Sequence, residues 1–460
     1  MSAITVPINT KTIDGYNLFI KCKKLPVYKI VGNNCVTDEK SYNYVFGGID
    51  NRTVFHNPKQ IEFDYQKFVV EKALEREKYA PFLDCGLGKT IIELMFIHDV
   101  VDKLGGKGIY WCPLGVMEDI QRECQKVYGY RMSNLRNEEW KTPIAILNYE
   151  SRKELDMKDV VCCVLDESSI LKSGDGEICD YLTRHAANVK FRMAASATPS
   201  PNDQTEYASH AVFLGLCGTL KEFYSKFFVK DGTEWRMKSH AKDAFYDYLK
   251  SWACYIQSPS SIGFEMGAEL DHEPNYIIQE SYPENYFREG TFLSSSINMM
   301  DASRIFGKLR SDITTDRFKN SIESIQNRHA IVWCERNSEE LVYSRALNAP
   351  IINGSTPLEK RIEIVDAFKA GQIQHIITKA KVLGFGVNIQ QAEAHLMSGY
   401  DFSFEKFYQK IRRSHRFGRK GILDVYVPVS EPERPVWDIL QKKLKTFKGD
   451  VMELQNRFFK

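Results

Sequence analysis

The sequence predicts an α/β protein built from two doubly wound parallel-sheet lobes, with a small β-rich module before them and a helical insertion between them. Three observations predict this fold class. Short apolar runs alternate with helical patterns over residues 56–215, as in parallel strands joined by crossover helices. The same alternation resumes at about residue 311, and residues 216–310 between the two stretches are rich in aromatic side chains. The predicted domains are therefore 1–55, 56–215, 216–310 and 311–460.

The composition excludes several protein classes. The chain has 460 residues, of which 43% are hydrophobic and 27% charged, as in globular proteins of two or three domains. A net charge of +2 gives no overall basic field. No apolar run approaches membrane-spanning length, the first residues lack a signal-peptide pattern, and the 11 cysteines show no zinc-binding spacing. We therefore expect a cytoplasmic protein with reduced cysteines and no membrane contact.

The first 55 residues are predicted to form short strands and turns. Alternating apolar and polar side chains over 16–22 and 42–46 are typical of strands. Gly32 and the pair Gly47-Gly48 supply turns. No residue of this module indicates a chemical role.

A helical stretch from Phe63 to about Tyr79 opens the first lobe. Gln66 lies near its start, and a glutamine amide can both donate to and accept from the edge of an adenine ring. The alternative is an ordinary surface glutamine. The glycine loop that follows makes adenine contact the favoured interpretation.

That loop, Gly86-Leu87-Gly88-Lys89-Thr90, directly precedes a predicted helix. Glycines before a helix allow backbone N–H groups to surround an anion, and the positive end of the helix dipole points the same way. Lys89 can then reach the outer phosphates of a nucleotide, and Thr90 can offer its hydroxyl to Mg²⁺. The general phosphate-loop pattern has a small residue where Leu83 stands, so the alternative is an ordinary strand–turn–helix joint.

A strand that ends in two acids supplies the carboxylates that such a loop requires. The apolar run 160–165 is typical of a strand buried on both faces, and it is followed by Asp166, Glu167, Ser168 and Ser169. Ligand sites in open α/β sheets lie at the carboxyl ends of strands. Asp166 is predicted to hold Mg²⁺ and Glu167 to position the attacking water. The alternative is a strand that merely ends in a polar turn. Further strands of this lobe are predicted at 108–114, 144–150 and 191–199.

The character of the sequence changes between about 216 and 310. Phe245, Tyr248 and Trp252 lie at helical spacing, and basic residues such as Arg236 and Lys238 are interleaved with the aromatic ones. Aromatic and cationic side chains together can stack bases and hold phosphates. We favour a packed helical brace with a solvated basic rim, although both interpretations can hold on different faces.

The second lobe is predicted from about residue 311. Strands are expected at 330–334, 375–378 and 394–397, a helix over 359–370, and a strand at 424–427 that closes the sheet. The tail from about Glu433 is predicted to be helical. Its four lysines are most simply a solvated face, with phosphate contact as the minority interpretation: Lys442, Lys443, Lys445 and Lys448.

The second lobe has no phosphate loop but carries Arg412, Arg413, Arg416 and Arg419. Cations at this density repel one another and need an anion, which a triphosphate held by the first lobe would supply. The spacing of three places Arg413 and Arg416 on one helical face. An arginine fork suits phosphate oxygens, and an arginine delivered to a γ-phosphate can raise hydrolysis by roughly 10³–10⁵-fold. The alternative is a surface patch that binds nucleic acid directly.

The motifs taken together resemble a superfamily 2 helicase or translocase, and they are most similar to the Snf-type motors of double-stranded DNA. They occur in the family's order over about residues 62–430, at 64–66, 86–90, 166–169, 196–199, 353–357, 384–388 and 409–419. The acid motif, the segment 197–202 and the stretch 238–253 resemble DEAD/DEAH-box helicases of phages and prophages. Two departures are Leu83 and the pair Ser168-Ser169, which stands where the family usually has Ala-His or Ala-Asp.

The resemblance implies two RecA-like lobes, with ATP and Mg²⁺ as cofactors. It implies ATP binding by Gln66, Gly86, Leu87, Gly88, Lys89 and Thr90, and metal binding by Thr90 and Asp166. The implied catalytic residues are Lys89, Asp166, Glu167, Gln409, Arg413 and Arg416, with Arg413 and Arg416 as arginine fingers. The residues implied to couple the nucleotide to DNA are Ser196, Thr198, Gly384, Gly386 and Asn388.

The sequence therefore predicts an ATP hydrolase that moves on or remodels duplex, forked or branched DNA, mainly through phosphate contacts. Fork remodelling or branch migration in phage DNA replication or recombination, in the host cytoplasm, is the hypothesis that the phage-like resemblance suggests. Two alternatives stay open. One is an RNA helicase, and the other is an ATP-switched protein that displaces others from DNA without travelling. The sequence names no protein partner.

Overall fold

The computed structural model describes residues 3–9, 12–23, 28–38, 42, 63–172, 174, 176–232, 234–264, 272–281, 314–380, 382–383, 388–430 and 433–458. These residues form two parallel sheets flanked by helices, one small antiparallel sheet and one β-hairpin. The predicted fold class is confirmed.

The N-terminal module is a three-stranded antiparallel sheet with one helix. Its elements are β1 (Ala3–Pro7), α1 (Ile13–Cys22), β2 (Tyr28–Val31) and β3 (Asn34–Asp38), with β3 between the other two strands. The prediction of a strand at 16–22 is wrong, because this segment is helical. The Thr12 side chain accepts a hydrogen bond from the Gly15 N–H at 3.1 Å, and Leu18, Phe19 and Cys22 pack together at helical spacing. Of the other predicted strand, 42–46, only Tyr42 lies within the described residues.

The first lobe follows the predicted alternation with shorter elements. The predicted helix ends before Tyr79, which lies in the first strand of the sheet. The elements are α2 (Asp64–Arg76), β4 (Lys78–Leu83), α3 (Lys89–Leu104), β5 (Lys107–Cys112), α4 (Met117–Tyr128), β6 (Ser133–Asn134), β7 (Ile144–Asn148), β8 (Val160–Leu165), α5 (Glu177–Ala186), β9 (Phe191–Ala194) and α6 (Tyr207–Phe213).

The region 216–310 is both a brace and a contributor to the two sheets. Its described elements are α7 (Leu220–Phe227), β10 (Phe228–Asp231), β11 (Glu234–Met237), α8 (Lys242–Trp252), β12 (Ala253–Ile256) and β13 (Asn275–Ser281). Phe223, Phe245 and Trp252 are buried against the first lobe, which supports the packed-brace interpretation. Strand β12 pairs with β4, and β13 joins the sheet of the second lobe. The boundaries at 215 and 311 remain predictions.

The strand order of the first sheet places the site. All neighbours in the order β12-β4-β9-β8-β5-β7-β6 are parallel. The carboxyl ends of β4, β9 and β8 therefore lie side by side at one edge. The glycine loop follows β4, the segment 196–199 follows β9, and the two acids follow β8. Their convergence is a consequence of sheet topology.

The second lobe is a six-stranded parallel sheet. Its remaining elements are α9 (Thr314–Ile325), β14 (Ala330–Trp333), α10 (Asn337–Leu347), β15 (Ile351–Ile352), α11 (Leu358–Lys369), β16 (His375–Thr378), β17 (Ala394–Leu396), α12 (Phe404–Ile411), β18 (Asp424–Ser430) and α13 (Arg434–Phe458). The strand order is β13-β18-β17-β14-β16-β15. The prediction that 424–427 closes the sheet is wrong, because β13 covers that edge.

The long helix α13 returns to the first lobe. Phe447, Val451 and Leu454 are buried in the shared core. Asp450 is also buried and accepts a hydrogen bond from the Tyr246 hydroxyl at 2.6 Å. The predicted solvated lysine face fails at Lys443, whose Nζ donates to the Asn202 side chain at 2.7 Å and to a backbone carbonyl at 2.9 Å. Among the described helices, none is long and apolar enough to cross a membrane.

Candidate functional site

A cavity of about 770 Å³ lies between the two lobes. This volume is typical of sites for ligands of nucleotide size. The first lobe contributes predicted residues from the glycine loop and the acid motif: Gly86, Gly88, Lys89, Thr90, Asp166 and Glu167. The second lobe contributes Asn388, Gln409, Arg412, Arg413 and Arg416, together with the unpredicted Arg361. Thus the tertiary structure brings together two motif groups that are far apart in the sequence.

The glycine loop has a geometry that few other residues would permit. Gly86 and Gly88 have positive φ angles of 93° and 68°, and α3 begins at the next residue, Lys89. A Cβ atom on Gly88 would lie 2.3 Å from the Gln66 amide nitrogen. The Tyr65 hydroxyl donates to the Leu87 carbonyl at 2.8 Å and holds the loop from behind. The loop therefore leaves the N–H groups at the start of α3 directed at the cavity.

Gln66 lies against the back of the loop. Its side chain is 4% exposed, and its amide nitrogen is 3.4 Å from the Leu87 carbonyl. The alternative of a surface glutamine is therefore wrong. Gln66 is not among the residues that line the cavity in the described part of the chain, so adenine contact stays a prediction.

The two acids occupy a turn that is held by the backbone. The Asp166 N–H donates to the Trp111 carbonyl at 2.9 Å, and the Glu167 N–H donates to Asp166 Oδ1 at 2.9 Å. Glu167 has a φ angle of 50°, a conformation that costs a non-glycine residue about 1–3 kcal/mol. Its Oε2 atom is buried and has no hydrogen-bond partner among the described residues. An unsatisfied carboxylate oxygen at this place fits a water or a metal-bound ligand.

The electrostatics of the cavity favour a cationic lysine and a basic glutamate. Burial raises the pKa of Glu167 to about 7; the Lys89 charge opposes this shift and the Asp166 charge adds to it. Burial likewise raises the pKa of Asp166, against the pull of Lys89. Burial alone would lower the pKa of Lys89, but Cys85 and the two carboxylates outweigh it and the pKa is raised. A carboxylate with a pKa near neutrality is suited to accept a proton from water.

A third carboxyl group, Glu93, was not predicted. It lies on α3 one turn after Lys89 and is fully buried, with the Tyr110 hydroxyl donating to it. Burial raises its pKa well above the ordinary value, and the nearby Asp166 charge adds to the shift. A neutral, protonated Glu93 is the state that these shifts favour. The signal in the sequence was its position within the apolar run 91–97.

Arg419 has a different environment from Arg413 and Arg416. Arg419 donates to the backbone carbonyls of Gln390 and Ala392 at 2.8 and 2.7 Å, so its role is to brace the second lobe. Arg413 and Arg416 line the cavity, and a Cβ atom on Gly86 would lie 3.0 Å from Arg416 Nε. The prediction that these two share a helical face is wrong. Helix α12 ends at Ile411, and both residues lie in the turns that follow.

The predicted coupling residues lie partly within the described chain. Ser196 and Thr198 are buried after β9; the Leu83 N–H donates to the Ser196 carbonyl at 3.1 Å, and the Thr198 N–H donates to Ser196 Oγ at 3.1 Å. Asn388 lines the cavity, whereas Gly384 and Gly386 lie outside the described residues.

The unusual serine pair after the acids contacts two other elements. Ser168 Oγ is 3.0 Å from Nε2 of His210 on α6. The Ser169 hydroxyl donates across the lobes to Glu405 Oε1 at 2.6 Å, and Lys172 pairs with the same carboxylate. Both serines are therefore integrated into the structure, and Ser169 connects the acid motif to α12.

Comparison with known proteins supports the resemblance. Residues 314–418 match the helicase conserved C-terminal domain. A RAD54-like DNA repair and recombination protein of Danio rerio is 36% identical over 92 residues, which is 19% of this chain and 12% of that protein. Eukaryotic initiation factor 4A of Dictyostelium discoideum is 27% identical over 116 residues, or 24% of this chain and 28% of that protein. The matches thus span only a small part of these relatives.

Two solved structures are also similar. The Sulfolobus solfataricus SWI2/SNF2 ATPase core in complex with double-stranded DNA has 18% identity and a TM-score of 0.43, covering 88% of this chain and 95% of that one. A variant of S. cerevisiae Dbp5 bound to Gle1 and IP6 has 13% identity and a TM-score of 0.46, covering 84% and 87%. Both TM-scores are below 0.5. The resemblance to Snf-type superfamily 2 helicases is confirmed, and the phage subgroup stays a prediction.

Proposed function

We propose that this chain hydrolyses ATP in the interlobe cavity and uses the cycle to move on or remodel DNA. The observation that carries the proposal is one cavity lined from the first lobe by the glycine loop and two acids, and from the second lobe by Arg413 and Arg416. A site with cations and N–H donors on both sides of a pair of carboxylates suits phosphoryl transfer to water.

Each residue has a distinct proposed role in this site. The loop N–H groups and Lys89 hold the phosphates, and Thr90 and Asp166 would hold Mg²⁺, which would neutralise phosphate charge. Two features fit a Mg²⁺-bound nucleotide: Glu167 Oε2, which is buried without a partner among the described residues, and the glycine loop. Glu167 orients and deprotonates the attacking water, while Arg413 and Arg416 stabilise the charge that develops on the γ-phosphate. Gln409, which lines the same cavity, supports the arginines.

The choice of DNA as the substrate rests on resemblance. The Snf-type motif order and the similarity to a protein of DNA repair and recombination both favour DNA. We propose duplex, forked or branched DNA gripped mainly through phosphates, so that affinity falls steeply with salt. Fork remodelling or branch migration in phage replication or recombination is the finer form of the proposal. All 11 cysteines are free, which agrees with a cytoplasmic location.

The test is the rate of ATP hydrolysis with single-stranded, duplex, forked and four-way DNA, and with RNA. We expect DNA, and above all duplex or branched DNA, to stimulate the rate, and the Lys89→Ala variant to show no stimulation. Stimulation by RNA alone would favour the RNA helicase. No stimulation by any nucleic acid would overturn the proposal.

A second assay separates a motor from a static switch. A third strand bound to a duplex is ejected by a protein that travels along the duplex, and it is not ejected by one that only binds and releases. We expect ATP-dependent ejection. DNA-stimulated hydrolysis without ejection would favour the non-translocating, protein-displacing alternative.

A further inference from the structure

A buried ion pair joins the two lobes beside the nucleotide cavity. Arg412, of the second lobe, pairs with Asp84, of the first lobe, and their side chains are only 6% and 2% exposed. Arg412 lines the cavity, and the sequence indicated it only as one member of the four-arginine cluster, whereas Asp84 was assigned no role.

The pair is the centre of a hydrogen-bond network. The Tyr408 hydroxyl donates to Asp84 Oδ1 at 2.8 Å and accepts from Arg412 Nε at 3.0 Å. Arg412 also donates through Nη1 to the carbonyl of His415 at 3.0 Å, and the same nitrogen is 2.7 Å from the His415 ring Nδ1. The Cys85 N–H donates to Asp84 Oδ1 at 2.7 Å. Both charges are therefore satisfied by several partners, as buried ions must be.

The position of the pair in the chain is informative. Asp84 directly precedes the Cys85-Gly86 start of the glycine loop, and its backbone carbonyl accepts from the Leu87 N–H at 3.4 Å. Arg412 directly precedes Arg413 and lies in the same turn as Arg416. A contact between Asp84 and Arg412 thus fixes the base of the loop to the base of the segment that carries both cavity arginines.

We propose that Asp84 and Arg412 are an interlobe positioning pair that sets Arg413 and Arg416 at the correct place over the phosphate loop. The inference rests on the proposed function, and it adds a condition to it: turnover requires this contact, whereas nucleotide binding by the first lobe does not. Neither residue acts on the phosphates itself. They act through the two arginines that face the cavity.

Geometry gives the size of the effect. A displacement of about 1 Å of a catalytic group can reduce a rate by roughly 100-fold. The pair joins two opposite buried charges, one at the start of the turn at 412–416 and the other directly before the glycine loop. We therefore expect loss of the pair to reduce kcat by about 100-fold while the Kd of a nucleotide changes by less than about threefold.

The experiment compares Asp84→Asn, Arg412→Gln and the double variant. Asparagine keeps an oxygen that can accept from the Cys85 N–H and the Tyr408 hydroxyl, so the glycine loop retains its support. Each single variant leaves one buried charge unpaired, and the double variant leaves none. Because both residues act through one contact, we expect the double variant to have a kcat no lower than either single variant.

Three measurements are made on each protein: kcat, the Kd of a fluorescent ADP analogue, and the midpoint of thermal unfolding. A merely structural role would lower nucleotide affinity and thermal stability together with kcat. A positioning role separates kcat from Kd. The conservative Arg412→Lys variant, which can reach Asp84 but cannot form the fork to Tyr408 and His415, should restore part of the kcat lost in Arg412→Gln.

A matched control removes a different interlobe contact. Lys443→Gln breaks the bond from α13 to Asn202 of the first lobe, away from the cavity, and we expect its kcat to stay within about twofold of wild type. If Arg412→Gln does not fold, Tyr408→Phe removes two bonds of the network without leaving a charge unpaired. We expect that variant to lose about threefold to tenfold in kcat.

The outcomes distinguish the two proposals. If wild type hydrolyses ATP in a Lys89-dependent way and the Asp84, Arg412 and Tyr408 variants keep its kcat, the positioning pair is overturned and the proposed function stands. Additive losses in the double variant would also overturn the pair. If wild type itself hydrolyses no ATP with any nucleic acid, the proposed function fails first.

Discussion

The two sides of the interlobe cavity are built in different ways. On the first-lobe side, the glycine loop, the two acids and Ser196 follow three neighbouring strands, and backbone bonds tie them together: the Leu83 N–H to the Ser196 carbonyl at 3.1 Å, and the Ser168 N–H to the Ala195 carbonyl at 2.8 Å. On the second-lobe side, Arg413 and Arg416 lie in turns beyond α12, next to the Arg412–Asp84 ion pair that joins the two lobes.

This difference separates binding from hydrolysis. The glycine loop and the acids belong to one sheet, so their geometry does not depend on the position of the second lobe. Arginines that depend on interlobe contacts can act only when the lobes are in register. In the proposed function, nucleotide binding is therefore a property of one lobe, and turnover depends on how the two lobes are placed relative to each other.

Lys89→Ala should abolish the function of the first-lobe side of the cavity, and we expect it to give the largest effect. Lys89 is the cation at the end of the glycine loop, and its raised pKa keeps it charged near the acids. We expect both nucleotide binding and ATP turnover to fall below detection, as measured by calorimetry and phosphate release. Normal turnover in this variant would remove the glycine loop from the mechanism.

Arg416→Ala should disable only the second-lobe side of the cavity. Arg416 Nε lies 3.0 Å from the position of a Cβ on Gly86, so its guanidinium reaches across to the loop. We expect turnover to fall by roughly 10³–10⁵-fold while the Kd for nucleotide changes little. The matched control is Arg336→Ala, an arginine of the same lobe that does not line the cavity. Weak nucleotide binding together with normal ATP turnover would contradict the assignment of binding to the first-lobe side and of turnover to the second-lobe side.

Glu167→Gln should stop the chemical step with the nucleotide in place. We expect a loss of about 10²–10⁴-fold in turnover and retention of bound ATP on a filter. A carboxyl accepts a proton only when ionised, so wild-type turnover should rise with pH through the pKa of about 7 and then level off. The variant should show no such rise, and a wild-type profile that is flat between pH 5 and 9 would argue against Glu167 as the base.

Asp450→Asn should test the packing of α13 on the first lobe, which lies away from the cavity. Burial raises the pKa of Asp450 to about 6, so ionisation is disfavoured in the fold. The stability that it contributes is present below its ordinary pKa of 3.8 and is lost as the pH rises through about 6. Asparagine keeps an oxygen acceptor for the Tyr246 hydroxyl and cannot ionise.

We therefore expect Asp450→Asn to stabilise the docking of α13 by about 1–3 kcal/mol at pH 7.5 and to have no effect below pH 4. Hydrogen exchange of α13 at the two pH values measures this difference. Turnover should stay close to that of wild type, because the change leaves the cavity untouched. A destabilised helix at pH 7.5 would show that Asp450 is ionised and paired in the fold.

The same difference between local and long-range contacts determines which features the sequence could predict. The glycine loop and the strand-end acids were located from the sequence because their chemistry is local: a turn, a helix start and an apolar strand are encoded by consecutive residues. Strands β12 and β13 were missed inside the aromatic-rich region, because membership of a sheet is decided by long-range pairing with β4 and β18. Helix α1 was missed because a short amphipathic segment fits both periods.

The sequence by itself determined the two-lobed α/β architecture and the positions of the glycine loop and the acid pair. Only the tertiary structure decided which arginines face the cavity, that Glu93 is buried beside Asp166, and that Arg412 pairs with Asp84, 328 residues away in the chain. The physical reason is that the sequence shows which residues are charged but not the environment of each charge. The role of each charge depends on burial and on partners, and both are fixed when remote segments pack together.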